Sequence, residues 1–430
     1  MVPTIVPVQT SSELPQTAAV VIIGGGIVGL NAALTLAERN ISVVVIEKGK
    51  IAGEQSSRNL GWVRKTNRLA DDVPLAVASD RLWSEMNARV GCEVGYRQEG
   101  IIFLSTDEKQ IELQKKWLKS VEHLNLDSKI ISAKEVDELV PHGKGNWAGA
   151  LFTPSDGRAE PTLASSAIAK AAMRKGAVIV EGCAARHLDI QNGRVVGVHT
   201  EKGTIRCEQV LLAGGLWSRK FLGNLGVPLP TLPLICSVFK TKPMQGPTEI
   251  AVGAGNFSFR KHIDGGYIIT QRGKLDAPLT PDHLLIGTKY LAQLKAQRDF
   301  LNISFGKFFF KELVTPRRWS KDTVTQFEKT RMMDPLANES LNQDALRNLC
   351  EAWPMFKDAE IENTWAGMID VTPDSNPIID EIPNIKGLTI ATGFSGHGFG
   401  TSPAAGHLAA DLISGHPPII DPTPYSFKRL

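Results

Sequence analysis

The chain opens on apolar runs that do not alternate. Val20-Val21-Ile22-Ile23 and Val43-Val44-Val45-Ile46 have no polar face, the pattern of strands covered on both sides. Between them, IVGLNAALTLAERN carries its apolar residues at helical spacing. The stretch 73–90, with Leu75, Val77, Leu82, Trp83 and Met86, reads as a helix, 92–104 as a hairpin and 109–140 as helical. In the middle of the chain, 163–175 reads as an amphipathic helix and 178–181 as a strand. Segments 195–200 and 204–207 read as a hairpin, and 210–212 as a further strand. Asn192-Gly193 is a hairpin turn signal. From 230 to 353 the pattern is mixed, punctuated by proline and clustered aromatics. A strand at Leu388–Thr392, a glycine-rich loop and a helix over 404–413 then restore the earlier pattern.

The predicted fold class is therefore α/β, a Rossmann-like domain in three pieces, 19–90, 155–228 and 365–430. An α+β domain formed by 91–154 and 229–364 is inserted into it, and 1–18 form an extended arm.

Composition narrows the picture further. A chain of 430 residues with net charge +3 has no basic, aromatic-interleaved face, which argues against nucleic acid. The five cysteines are scattered without metal-ligand spacing, so no metal site is expected and a reducing, cytoplasmic compartment is the simplest expectation. The N-terminal sequence lacks the pattern of a signal peptide, and no apolar run approaches a membrane span.

Candidate chemistry begins with the first strand–helix–strand unit, which has the order of a dinucleotide-binding fingerprint. Gly24 permits the tight turn, Gly26 lets the backbone approach a pyrophosphate, and Gly29 allows close helix–strand packing. Ile27 and Val28 start a helix whose free N–H groups face phosphates. Glu47, followed by Lys48, ends the second strand where a ribose-binding acid belongs. Ala213-Gly214-Gly215 follows another strand and fits either backbone passage beside the nucleotide or a simple turn.

Three segments, VIIGGGIVGL…VVVIEKG, VLLAGGLWS and LTIATGFSGHGFGTSPAAGHLAADLI, together resemble the D-amino-acid oxidase/glycine oxidase superfamily of FAD enzymes. EKGKIAGEQSSR, VLLAGGLWSRKFLGNLGVPLPTL and IDPTPYSFKR are similar, more narrowly, to the bacterial L-amino acid deaminases, and this likeness covers nearly the whole chain. Two features differ: the membrane-anchoring helix of those deaminases is not found, and GFSGHGFG looks like the wider D-amino-acid dehydrogenase and glycine oxidase group.

The resemblance implies non-covalent FAD and a set of site residues. Ser56, Ser57 and Arg58 would donate to the pyrophosphate, with Gly61, Trp62 and Arg64 near the flavin or the substrate mouth. Trp62 stands where the deaminases hold a glutamine. Cys183 and Ala184 would lie against adenine, and Ala213, Gly214, Gly215 and Trp217 along the nucleotide. Gly393, Gly396, His397, Gly398, Phe399, Gly400 and Thr401 would surround the flavin. That loop has no cysteine, which excludes a cysteinyl-flavin bond there. Arg260, on a strand with Phe257 and Phe259 facing the other way, is the expected clamp for the substrate carboxylate; the alternative is a solvated strand arginine. His397 is left open between a chemical role and a structural one.

The implied activity is amino-acid oxidation, with hydride transfer from the α-carbon to flavin N5 and hydrolysis of the imino acid to a 2-oxo acid and ammonia. L-amino acids are the first expectation. A D-amino-acid dehydrogenase or a secondary-amine oxidase of sarcosine, proline or opine type is the alternative, and a non-catalytic flavin-binding subunit a third. The expected partners are a small amino-acid substrate and dioxygen or an electron-transfer acceptor, dioxygen being favoured because no anchoring helix is found. Oligomeric state is left open.

Overall fold

Val20–Ile23 and Val43–Ile46 pair in parallel, and Gln209–Leu212 joins the first of them from its other side. Leu388–Thr392 lies beyond Gln209–Leu212, and Val178–Val180 beyond Val43–Ile46. Only the edge strand Ile378–Glu381 runs antiparallel in this six-stranded sheet. Neighbouring strands thus come from the start, middle and end of the chain. The computed structural model describes residues 2–430.

Both faces of this sheet are covered, which is why its strands read as unbroken apolar runs. Helices Ile27–Glu38, Pro161–Arg174 and Gly398–Ser414 pack on Val20, Ile22, Val43 and Val45. On the opposite face, Val21, Val44 and Ile46 meet a three-stranded antiparallel layer, Ala185–Gln191, Arg194–Thr200 and Gly203–Arg206. Asn192 and Gly193, at φ of 51° and 72°, make the turn that their sequence predicts. Small residues let the first and last helices touch: a Cβ on Gly406 would lie 2.6 Å from the Ala32 nitrogen.

A second, ten-stranded sheet carries Leu232–Thr241 near its middle, flanked by Tyr267–Thr270 and Ile361–Val371. It continues through Ser258–Lys261, Ala251–Gly253, Ile101–Ser105, Gly149–Thr153 and Lys129–Ser132. One face packs Phe239, Phe257, Phe259 and Tyr267 against Trp353, Phe356 and helix Glu339–Ala352. The other turns toward the first sheet.

Several local expectations are corrected. Segment 92–104 holds one strand, Ile101–Ser105, whose partners Gly149–Thr153 and Ala251–Gly253 are distant in sequence, so no hairpin forms. The helical reading of 109–140 breaks at strand Lys129–Ser132, where Ser132 and Glu135 form a capping box that starts a separate helix, Ala133–Leu139. Strand Ala185–Gln191, with its histidine and charged residues, was not expected. The last helix starts at Gly398 rather than near 404. Pro403 cannot donate to the Phe399 carbonyl; the Ser402 hydroxyl does so at 2.8 Å. Among the described residues no helix is long and apolar enough to cross a membrane.

Candidate active site

Two cavities meet beside the N-terminus of helix Ile27–Glu38. Ile27, Val28, Gln55, Ser56 and Phe394 line both. The first has about 960 Å³ of empty space and the second about 1410 Å³.

The first cavity gathers much of the predicted nucleotide set. Gly24, Gly26, Glu47, Lys48, Cys183, Ala213, Gly214, Gly215 and Trp217 line it. Gly24 holds φ at +118°, and a Cβ there would meet the Ala213 carbonyl oxygen at 2.4 Å, so no other residue fits. The helix behind it has no acidic residue in its first turn, and Gly26 at its N-cap offers no side chain. The Ser56 hydroxyl accepts from the Ile27 N–H at 2.9 Å, which leaves the neighbouring N–H groups and the helix dipole for an anion. The two Glu47 carboxylate oxygens accept from the Gly25 and Gly49 amides at 2.8 and 2.6 Å. Burial raises the pKa of this carboxyl, while its amide bonds lower it. Each oxygen keeps a lone pair for a ribose hydroxyl. Lys48 donates to Glu54 at 2.6 Å and sits 4.3 Å from the centre of the Trp217 ring. This cradle fits the adenosine and pyrophosphate of a dinucleotide cofactor.

The second cavity lies between the two sheets. Arg58, Gly61, Trp62, Gly396, His397, Gly398, Phe399 and Gly400 line it, together with Arg64, Arg68, Gln271 and Arg272. Helix Gly398–Ser414 points its N-terminus here, with no acidic first turn and no side-chain cap. Its start is fixed from helix Val73–Ser84: Trp83 Nε1 donates to the Gly400 carbonyl at 2.9 Å, and the Ala404 N–H donates to the Ser79 hydroxyl at 3.0 Å.

Arg64 and Arg272 stack on one ring, their guanidinium carbons 5.7 and 4.7 Å from the centre of Phe103. Arg64 donates to the Thr66 carbonyl, and its loop is anchored by Asp156, which accepts from the Lys65 and Thr66 amides at 2.7 and 3.2 Å. Among the described residues neither Arg64 nor Arg272 has a carboxylate partner. Burial pushes Arg64 down to about 9, helped by the positive charges of Arg68 and Arg272, and pushes Arg272 down to about 10. Arg68 is neutralised by Asp72 at 2.8 Å, and Arg58 by Asp334 at 2.8 Å. His397 lies near Arg64 and Arg68; burial and those two charges hold its imidazole well below its ordinary value.

Arg260 is placed elsewhere, and its expected role as clamp is corrected. Its guanidinium is 1% exposed and forms a two-pronged ion pair with Glu160, while its Nε donates to the Leu60 carbonyl at 2.5 Å. Strand alternation does turn it away from Phe257 and Phe259. It is Ser258, two residues earlier on the same face, that reaches the cavity.

Five other expected contacts also fall behind the cavity walls. Gly29 packs on the Gly24 carbonyl, and the Ser57 hydroxyl donates to the Glu54 carbonyl. The Ala184 N–H donates to Glu201, the Gly393 N–H to Asp370, and the Thr401 hydroxyl to the His397 carbonyl. Arg58 reaches the second cavity, but its Nη atoms are taken by Asp334, Gly53 and Ala366. Its Nε is buried without a partner, as is Trp62 Nε1. Gln55, inside the GEQSSR motif, and Asp370, which no motif reveals, are wall residues joined at 2.9 Å, and Phe103 stands behind the wall beneath Arg64 and Arg272.

A phosphate-binding helix start joined to a cation-lined chamber under a second helix start is the arrangement of a flavin-dinucleotide oxidoreductase. Residues 19–412 match the family described as DAO, FAD dependent oxidoreductase, and the chain belongs to that family. The L-amino acid deaminase of Proteus myxofaciens, solved in complex with anthranilate, is 32% identical with a TM-score of 0.95, the match covering 99% of this chain and 96% of that one. For the Proteus vulgaris deaminase the values are 34% and 0.94, over 98% and 100%. Glycine oxidase from Pseudomonas aeruginosa is 28% identical over 95% of this chain and 98% of its own length. Mouse mitochondrial sarcosine dehydrogenase is 22% identical over 99% of this chain, which spans 42% of that protein.

Proposed function

We propose that this protein oxidises amino acids, L-enantiomers first, with FAD lying through both cavities and the substrate in the second. The observation that carries the reading is Arg272, a buried cation with no carboxylate partner among the described residues, facing the same chamber as the N-terminus of helix Gly398–Ser414. It supplies the site that the substrate carboxylate requires, and a planar guanidinium suits that task. The role of clamp passes to it from Arg260.

When bound, FAD supplies the two-electron acceptor, taking a hydride from the substrate α-carbon while the amine nitrogen loses a proton. Water then adds to the resulting imino acid and releases ammonia and a 2-oxo acid. The protein binds, orients and excludes. Arg272 fixes the carboxylate, Trp62 and Phe394 form apolar wall, and the helix N-terminus favours the negative charge that reduction leaves on the cofactor. His397, neutral at pH 7, is not needed as a cation.

Anaerobic titration of the purified flavoprotein tests this reading. A panel of L- and D-amino acids and N-alkyl amino acids is scored for loss of the flavin's visible absorbance. Bleaching by L-amino acids supports the proposal. Bleaching only by N-alkyl substrates would make the protein a secondary-amine oxidoreductase, and none at all a flavin-binding subunit.

A further inference from the structure

The second cavity carries more positive charge than one carboxylate uses. Four arginines line it, and carboxylates outside the chamber neutralise two of them, Arg58 and Arg68. The single acidic side chain among the lining residues, Asp370, is committed to Gln55, the Gly393 amide and the Thr392 hydroxyl. That leaves Arg64 and Arg272. Both are desolvated, both flank Phe103, and neither has a carboxylate partner among the described residues. Stacking on a ring leaves the in-plane N–H groups of a guanidinium free, and these are the groups that grip a carboxylate.

Two desolvated cations side by side repel one another, and an unpaired buried charge is expensive. The cofactor would not remove the need for a second anion, because helix Gly398–Ser414, with no acidic first turn and no side-chain cap, offers its own N-terminus to the negative charge that reduction would add. We propose that the substrate is a dicarboxylic amino or imino acid, with its α-carboxylate on Arg272 and its distal carboxylate on Arg64. Phe103 then acts as the spacer that sets the separation of the two carboxylates. Neutral His397, whose ring nitrogens have no hydrogen-bond partner among the described residues, is available to the distal group as a donor. The electron balance is that of the oxidation already described, so the second carboxylate changes recognition and not chemistry.

This inference rests on the proposed function, and its test separates the two. The holoenzyme is assayed with L-glutamate, L-aspartate and iminodiacetate, and with the isosteres glutamine, asparagine and norvaline. Acidic substrates are expected to exceed their isosteres in kcat/KM by about 100-fold or more, since an isostere leaves a buried cation unpaired. A second readout needs no turnover: glutarate should raise the melting temperature of the holoenzyme more than butyrate does at equal concentration. Arg64→Met should collapse the acidic-to-isostere ratio toward one. Arg272→Met should lower kcat/KM for both classes together.

Turnover of norvaline or glutamine at least as good as glutamate overturns the dicarboxylate proposal and leaves amino-acid oxidation standing. An Arg64→Met variant that loses both classes in equal proportion also overturns it. Flavin bleached by none of these compounds but by another amino acid overturns the dicarboxylate proposal alone, and flavin bleached by no amino acid overturns both readings.

Discussion

At the scale of single residues, two buried arginines only twelve positions apart have opposite consequences. Arg260 is satisfied by Glu160, whereas Arg272 rests on the Phe103 ring and has no carboxylate partner among the described residues. Arg260→Ala takes from the buried Glu160 carboxylate its two-pronged guanidinium partner and leaves it His262 and the Ile263 N–H, a change that typically costs about 3–5 kcal/mol. The expected outcome is a markedly lower melting temperature and poor flavin retention. Arg272→Ala relieves an uncompensated cation, so the fold and flavin content should stay near wild type while KM rises by roughly two orders of magnitude. Melting curves, flavin-to-protein ratios and steady-state kinetics on the two variants distinguish them. If Arg272→Ala instead leaves KM unchanged, the carboxylate site lies elsewhere.

His397 supplies a pH signature at the same scale. Its folded-state pKa is depressed below the ordinary 6.5 by burial and by Arg64 and Arg68. Above that value the imidazole is neutral in both folded and unfolded chains and contributes nothing. As pH falls below about 6.5 the unfolded chain takes up a proton that the folded one refuses, so stability falls. His397→Asn should flatten this part of the acid-side loss in a series of melting curves from neutral to mildly acidic buffer, and a wild-type slope in the variant would count against it.

At the scale of elements, the two helix starts divide the work. Helix Ile27–Glu38 begins against the first cavity with only Ser56 at its N-terminus, and helix Gly398–Ser414 begins against the second. Gly26→Leu places a side chain where the pyrophosphate must approach, and the purified variant should be colourless by absorbance. A yellow, fully loaded Gly26→Leu protein would show that the phosphates lie elsewhere.

The first of these starts was plain in the sequence, because the strand, the glycines and Glu47 are contiguous and each is tied to its neighbour by geometry. The second lies six residues before the start that its sequence predicts, because glycines and Pro403 lower helix propensity while tertiary bonds from Ser79 and Trp83 override it. Arg260 failed for a related reason. Alternation gave the correct face of its strand, but which position along that face reaches the cavity depends on Glu160, which is 100 residues away. The pairing of Arg64 with Arg272 across Phe103 has no sequence signal, since three separate segments create it.

At the scale of the whole molecule, the chamber sits between two sheets that share no strand, so access to it is set by how those layers meet. The direct acceptor is predicted to be dioxygen. In stopped-flow experiments substrate-reduced enzyme should reoxidise in aerated buffer at least as fast as it turns over, with release of hydrogen peroxide. Reoxidation far slower than turnover with a dye acceptor would instead mark it as a dehydrogenase.

The strand order has a temporal meaning as well. Gln209–Leu212 is flanked by a strand almost 200 residues earlier in the chain and another almost 200 residues later, and Asn31 meets Ser402 at 3.4 Å across 371 positions. A ribosome making this protein releases the glycine turn hundreds of residues before helix Gly398–Ser414, which packs on the helix behind that turn. Until that helix emerges, the apolar faces of Val20–Ile23 and of helix Ile27–Glu38 have only part of their cover, from helix Pro161–Arg174. The first cavity takes none of its lining from helix Gly398–Ser414, whereas the second, walled by Gly398, Phe399 and Gly400, is complete only once that helix has been made.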